Sequence, residues 1–188
     1  MKKFMLGFIT VIALTFQANA QKYYSKDGIV SFDATSKGSP ENIDGKTTKG
    51  TLVIDAATGA VEMGVLIKSF HFERALMEEH FNENYMQSDK FKDAKFKGTI
   101  TDFSSVNLKK DGAYKVNVSG KLTMHGVTKD IKTTATLTVA GGAISAAKTN
   151  LSTVLADYGI EVPSLVKDKL ASEAKIEINA ALKPLPAK

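Results

Sequence analysis

The sequence predicts an all-β domain of about eight antiparallel strands, closed as a barrel or stacked as a sandwich. Three observations carry this. Apolar and polar residues alternate over most of the chain, the period that buries one face of a strand. Glycine-bearing turn signals separate the alternating runs, as hairpins require. Only two stretches, 70–86 and 162–173, break the pattern.

Taken in order, "GIVSFDA" sets Val30, Phe32 and Ala34 on one face, and "KGTLVID" turns Leu52 and Ile54 inward. "AVEMGVLIK" aligns Val61, Met63, Val65 and Ile67. "KFKGTITD" sets Phe96 and Ile100 against Lys95, Lys97 and Thr99. "AYKVNVSG" carries Tyr114, Val116 and Val118, and "GKLTMHG" carries Leu122 and Met124. "VTKDIKTTATLTV" is a long strand with Ile131, Ala135, Leu137 and Val139 on one side, and "AKIEINAAL" closes with Ile176, Ile178 and Ala180. The turns are expected at "IDGK" (43–46), "ATGA" (57–60), "KKDGAY" (109–114), "SGK" (119–121), "HGVT" (125–128) and "AGGA" (140–143), where glycine supplies a positive φ. Up-and-down connections on this scale suit closure, which removes exposed strand edges. "VPSLVKDKLASE" (162–173) is expected as a short helix, capped by Ser164, with Leu165, Val166 and Leu170 on one face.

Residues 1–20 are expected to be a signal peptide. Lys2 and Lys3 precede an apolar run from Phe4 to Phe16, and Ala18 and Ala20 make an A-x-A cleavage pattern before Gln21. The run is shorter than the roughly 20 residues a membrane span needs, and no other segment is apolar enough. The expectation is a mature, soluble domain over 21–188, periplasmic or secreted. With no cysteine in the chain, thiol catalysis, disulfides, Cys-based metal sites and a lipid-modified N-terminal cysteine are all ruled out. The formal charge of +5 falls to +3 without the two signal-peptide lysines. A mild, scattered positive charge allows transient, weak attraction to a membrane surface but offers no patch for nucleic acid.

"FHFERALMEEHFNENYM" (70–86) concentrates aromatic, acidic and histidine residues, so specific chemistry has to be sought there first. Between Phe72 and Tyr85 the spacing predicts an amphipathic helix of about three turns. Phe72, Leu76 and His80 fall on one stripe beside Met77 and Phe81, while Glu73, Glu78, Glu79, Asn82 and Glu83 face water. The two histidines diverge by 2.5 turns and no H-E-x-x-H or H-x-H occurs, so the stretch is not read as a metal site. No G-x-S-x-G elbow or orienting acid marks a nucleophile. Neither an enzyme nor a cofactor is expected; His71 and His125 are read as structural or exposed.

Binding is the remaining class. A small barrel either fills its interior or holds one apolar ligand. An adaptable wall of phenylalanine, tyrosine and methionine suits the second. The candidate wall comprises Phe32, Met63, Val65, Ile67, Phe91, Phe96 and Tyr114. Lys90, Lys92, Lys95 and Lys97, interleaved with Phe91 and Phe96, either meet an anionic headgroup or form a solvated face. The alternative is a ligand-free envelope-stress or protein-interaction module with a filled core.

Four stretches together resemble the YceI-like family. "GIVSFDAT" is similar to its opening strand. "FHFERALMEEHFNENYMQSDKFKDAKFKGTI" is similar to its signature, "SGKLTMHGVTKDIKTTATL" to its G-x-L-T-x-H-G-V-T hairpin, and "LADYGIE" with "AKIEINAAL" to its closing segment. The resemblance implies an exported, lipocalin-like antiparallel β-barrel with a short amphipathic helix at its mouth. Its tunnel would take a long-chain isoprenoid or similar amphiphilic lipid, without catalysis or metal. By position, Phe72, Leu76, Met77, His80 and Phe81 would border the tunnel, and Leu122 and Met124 would line it. No aspartate follows Arg74, and "KDAKF" stands where many members have Tyr-Pro. Dimerisation is compatible with all of this but unspecified.

Overall fold

The computed structural model describes residues 21–186; the signal-peptide reading therefore lies outside the described residues. The chain winds as β1 (Lys22–Thr35), β2 (Asp44–Asp55), β3 (Ala60–Leu66), α1 (Ala75–His80), β4 (Asp93–Ile100), β5 (Gly112–Met124), β6 (Val127–Ala140), β7 (Ala143–Val154), β8 (Leu170–Ala181) and a two-residue β9 (Lys183–Pro184). Each strand from β1 to β8 pairs antiparallel with the next, and β1 also pairs with β8, closing an eight-stranded barrel. β9 pairs with Tyr23 and Tyr24 at the start of β1.

Closure gives the barrel two unlike ends. Short connections at 56–59 and 141–142, the 101–111 loop and β9 lie at one, here called the floor. The long connections at 36–43, 67–92 and 155–169 lie at the other, the mouth, together with the two-residue His125–Gly126 turn. The floor is packed by Tyr23, Leu52, Ile54, Val116, Leu137, Val139, Ile144 and Leu182. A second cluster at the mouth joins Ala34, Ile67, Met86, Leu155, Tyr158, Ile160, Leu170 and Ala174.

Eight strands close the barrel as predicted, but two expected strands merge into β5 and one observed strand, β7, has no counterpart in the expectation. "SGK" at 119–121 is not a turn: β5 runs unbroken through it. Gly120 pairs with Gly98 across β4 and β5, and the Phe96 ring lies where a Cβ on either would fall. These glycines make room for an inward aromatic, the arrangement in which a ring covers bare strand backbone. The eighth strand, β7, had no expectation. Its inward positions mix Ile144 and Leu151 with Ala147, Thr149 and Thr153, and a register shift opposite Thr138 and Val139 interrupts its alternation. β1 also starts earlier than expected, because shifts between Ser25 and Val30 change the phase of its alternation.

Three further expectations are corrected. "IDGK" lies largely within β2, whose Gly45 sits opposite Phe32; a Cβ there would strike Phe32 and Phe72 at 2.8 and 2.9 Å. The 162–173 segment forms only a 3-10 turn over Ser164–Val166 without a side-chain cap, and Leu170 opens β8. The helix over 72–85 is shorter than predicted. α1 covers Ala75–His80 and passes into a π turn over Phe81–Tyr85. Phe72 precedes it in extended chain, next to His71, which bridges to Lys46 of β2. The β2 backbone satisfies the His71 amide and carbonyl, so the edge of the sheet outcompetes the first helical turn.

Candidate functional site

Inward-facing residues in mid-barrel are not fully buried. Met63, Val65, Phe96, Ile131, Thr133, Ala135, Ile176 and Ile178 all keep partial exposure although they point away from the outer surface. They surround a cavity of about 560 Å³, within the range of small-molecule sites. It extends from Ile54, Ile100 and Leu137 near the floor to Arg74, Leu76 and Lys169 at the mouth.

Twelve of the fourteen candidate residues border this cavity: Phe32, Met63, Val65, Ile67, Phe72, Leu76, Met77, His80, Phe81, Phe96, Leu122 and Met124. Phe91 and Tyr114 do not. Phe91 packs edge-on against the His125 ring, with centroids 4.5 Å apart, and closes over Gly126. The Tyr114 hydroxyl donates to the carbonyls of Asn107 and Lys110, which ties it to the floor loop. Period-two counting gave Tyr114 the inward face correctly, but at the packed end of β5.

Four phenylalanines form the upper wall. Phe32 stacks on Phe81 at 5.1 Å and 14°. Phe72 tilts against Phe81 at 4.9 Å, and Phe70 meets Phe32 edge-on at 5.6 Å. Offset and edge-on pairs of this kind add to the stabilisation from burial alone. The π turn delivers Phe81. The Met86 amide bonds to the Phe81 carbonyl at 2.8 Å, so Phe81, Tyr85 and Met86 all reach the cavity. The Asn82 side chain bonds back to the Glu78 carbonyl at 2.9 Å. The Glu78 carboxylate accepts from the Phe72 amide at 3.2 Å and lies 3.5 Å from His71, pinning the extended segment to the helix.

An ion-pair cluster lies at the rim. Glu41 of the 36–43 loop takes the Arg74 guanidinium at 2.6 Å and the Lys169 ammonium at 3.0 Å. One carboxylate thus ties together the three mouth segments. The Lys169 ammonium, first by hydrogen bond and then by charge, holds the Glu41 carboxyl below its ordinary value. Lys95 and Lys97 pair with Asp93 and Glu62 on the solvated side of β3 and β4. His125 donates from Nδ1 to the Tyr158 carbonyl at 2.8 Å and joins the β5–β6 hairpin to the 155–169 loop. Among the described residues no group of three His, Asp or Glu side chains converges on a metal position, and no helix is long and apolar enough to cross a membrane.

Sequence reasoning missed Phe70, Glu41, Tyr85, Ile160 and Lys169, all of which border the cavity. They lie on the mouth loops, where no periodicity reports direction. Ile176 and Ile178 were legible as inward from "AKIEINAAL", and only their bordering a void was not.

No curated protein sequence matches the chain. Among solved structures, a polyisoprenoid binding domain from Saccharophagus degradans, implicated in plant cell wall breakdown, superposes with a TM-score of 0.72 at 14% identity. That match covers 88% of this chain and 99% of the other. BcnA from Burkholderia cenocepacia gives 0.62 at 17% identity, over 82% and 94% of the two chains. A YceI protein from Campylobacter jejuni gives 0.58 at 17%, over 81% and 90%. Identities this low speak for the fold alone. A model of the YceI-like domain matches residues 24–182, nearly the whole described barrel, and the chain therefore belongs to the YceI-like family.

Proposed function

We propose that this protein binds a long-chain isoprenoid or similar amphiphilic lipid in the barrel cavity, sequestering it or carrying it, without catalysing a reaction. The supporting observation is the unpacked middle of the barrel. Its inward side chains are mostly apolar, with Thr133 and Thr149 among them, they enclose about 560 Å³, and the Glu41, Arg74 and Lys169 ion pairs sit at the mouth. Burying a chain there contributes about 0.8 kcal/mol per methylene, so a long tail needs little help from its headgroup. An isoprenoid is the first candidate because the Saccharophagus degradans domain, alike in fold, is a polyisoprenoid binding domain. The alternative, a ligand-free interaction module, requires a filled core, whereas the mid-barrel side chains between the two packed ends stay partly exposed around the cavity.

Native mass spectrometry of the protein purified from its own host tests the reading. A stoichiometric lipid adduct is expected. A bare mass, with no uptake of polyprenyl lipids or isoprenoid quinones offered afterwards, would refute it. Phe81→Asp, which places a carboxylate among the mouth rings, should abolish uptake in a folded variant.

A further inference from the structure

We propose that the barrel mouth docks on a neutral or zwitterionic bilayer surface through Leu165 and Leu76, so that the cavity opens on to the acyl layer. This rests on the lipid-binding reading above. The most exposed large hydrophobic side chain among the described residues is Leu165, at 91%; Leu76 follows at 61% and Leu66 at 56%. All three are at the mouth end; the floor's most exposed large hydrophobic is Leu185, at 43%, beside β9. Single exposed leucines are unremarkable on a protein surface. Two on opposite lips of one apolar opening are a different matter.

The placement is specific. Leu165 tips the 3-10 turn over Ser164–Val166, and its neighbour Val166 borders the cavity. Leu76 lies in the first turn of α1 and borders the cavity itself. The Lys169–Glu41–Arg74 bridge ties the 155–169 loop to the segment leading into α1, the two connections that carry Leu165 and Leu76. A ligand leaving a bilayer would pass between them without crossing water.

Charge selects the occupant. The mouth connections 36–43, 67–92, 125–126 and 155–169 hold nine acidic and seven basic residues, although the chain as a whole is basic. An anionic membrane gains nothing from this rim, so the attraction to anionic headgroups expected from net charge has no seat at the mouth. A second copy meeting mouth to mouth would oppose two rims that each carry a slight acidic excess. A neutral bilayer interface carries neither penalty, and side chains such as leucine enter it readily.

The test follows transfer of a farnesyl chain bearing an anthraniloyl fluorophore out of phosphatidylcholine vesicles. In parallel it follows uptake of the same probe from dilute solution without vesicles. Leu165→Asp should slow vesicle transfer by about fivefold or more and leave vesicle-free uptake unchanged, since Leu165 does not border the cavity. Adding phosphatidylglycerol should not accelerate transfer. An unchanged transfer rate in Leu165→Asp overturns the proposal. So does a rate that rises with phosphatidylglycerol and falls with salt, or a mouth-to-mouth dimer that Leu165→Asp dissociates. If the parent protein takes up no probe even without vesicles, the lipid-binding reading fails instead. Co-sedimentation with the same vesicles, lost in Leu165→Asp, then still decides docking.

Discussion

The floor and the mouth are built from the same eight strands, yet they solve opposite problems. At the floor, short connections bring Tyr23, Val116, Leu137, Val139 and Ile144 into a core with almost no exposed surface. At the mouth, long connections hold a looser cluster in which Phe32, Phe81 and Tyr85 stay partly accessible. The difference teaches where stability and function reside. A barrel that must keep an apolar cavity forgoes packing in its middle, and here the floor offsets the loss while the mouth supplies access.

Substitutions at the two ends should therefore separate stability from binding. The largest loss of stability is expected at the floor: Ile144→Ala, at a fully buried position away from the cavity, should cost about 2–5 kcal/mol, read as a lower urea midpoint. Its effect on lipid uptake by the folded fraction should be small. A smaller loss, about 1–3 kcal/mol, is expected from Gly120→Ala, whose Cβ would overlap the Lys97 carbonyl, the Gly98 backbone and the Phe96 ring. Because Phe96 borders the cavity, this variant should also lose uptake, which joins the two properties at mid-barrel.

Glu41→Gln should act on the mouth alone and in a pH-dependent way. The Glu41 carboxyl titrates lower when folded than its ordinary value of 4.5, so its contribution is complete above that value. It is lost as the pH falls through the lower folded value. The melting-temperature gap between parent and Glu41→Gln should be open at neutral pH and closed in acid. A gap independent of pH would show that the bridge to Arg74 and Lys169 contributes no charge-dependent stability. The smallest change in stability is expected for Leu165→Ser. An exposed surface position shifts stability by no more than about 0.5 kcal/mol, so a cooperative melt matching the parent's is the expected result.

The same contrast explains what could be read from the sequence. The strands of the wall announce themselves wherever alternation is clean, as in "AVEMGVLIK" and "VTKDIKTTATLTV". The strand count came out right through two opposite errors. A glycine that makes room for a ring at Gly120 looks the same in one dimension as a glycine that turns a corner, and β7 hides because alanine and threonine take much of its inward face and a register shift breaks its alternation. The mouth was harder. Its helix was visible as a stripe, but the capture of His71 by Lys46 and the π turn at Phe81 depend on neighbours remote in sequence. Glu41, Arg74 and Lys169 come from three separate connections, and no spacing rule brings them together.

The seam of the barrel sets a constraint in time. Val30 pairs with Ile178 and Tyr23 with Pro184, so the first strand finds its partners almost a full chain length away. Pairings this distant cost the most loop entropy and slow folding. Until they form, β1 and β8 each present a bare edge to other molecules. The closed cavity cannot exist until this seam has formed, and until then its apolar wall is open to wrong partners.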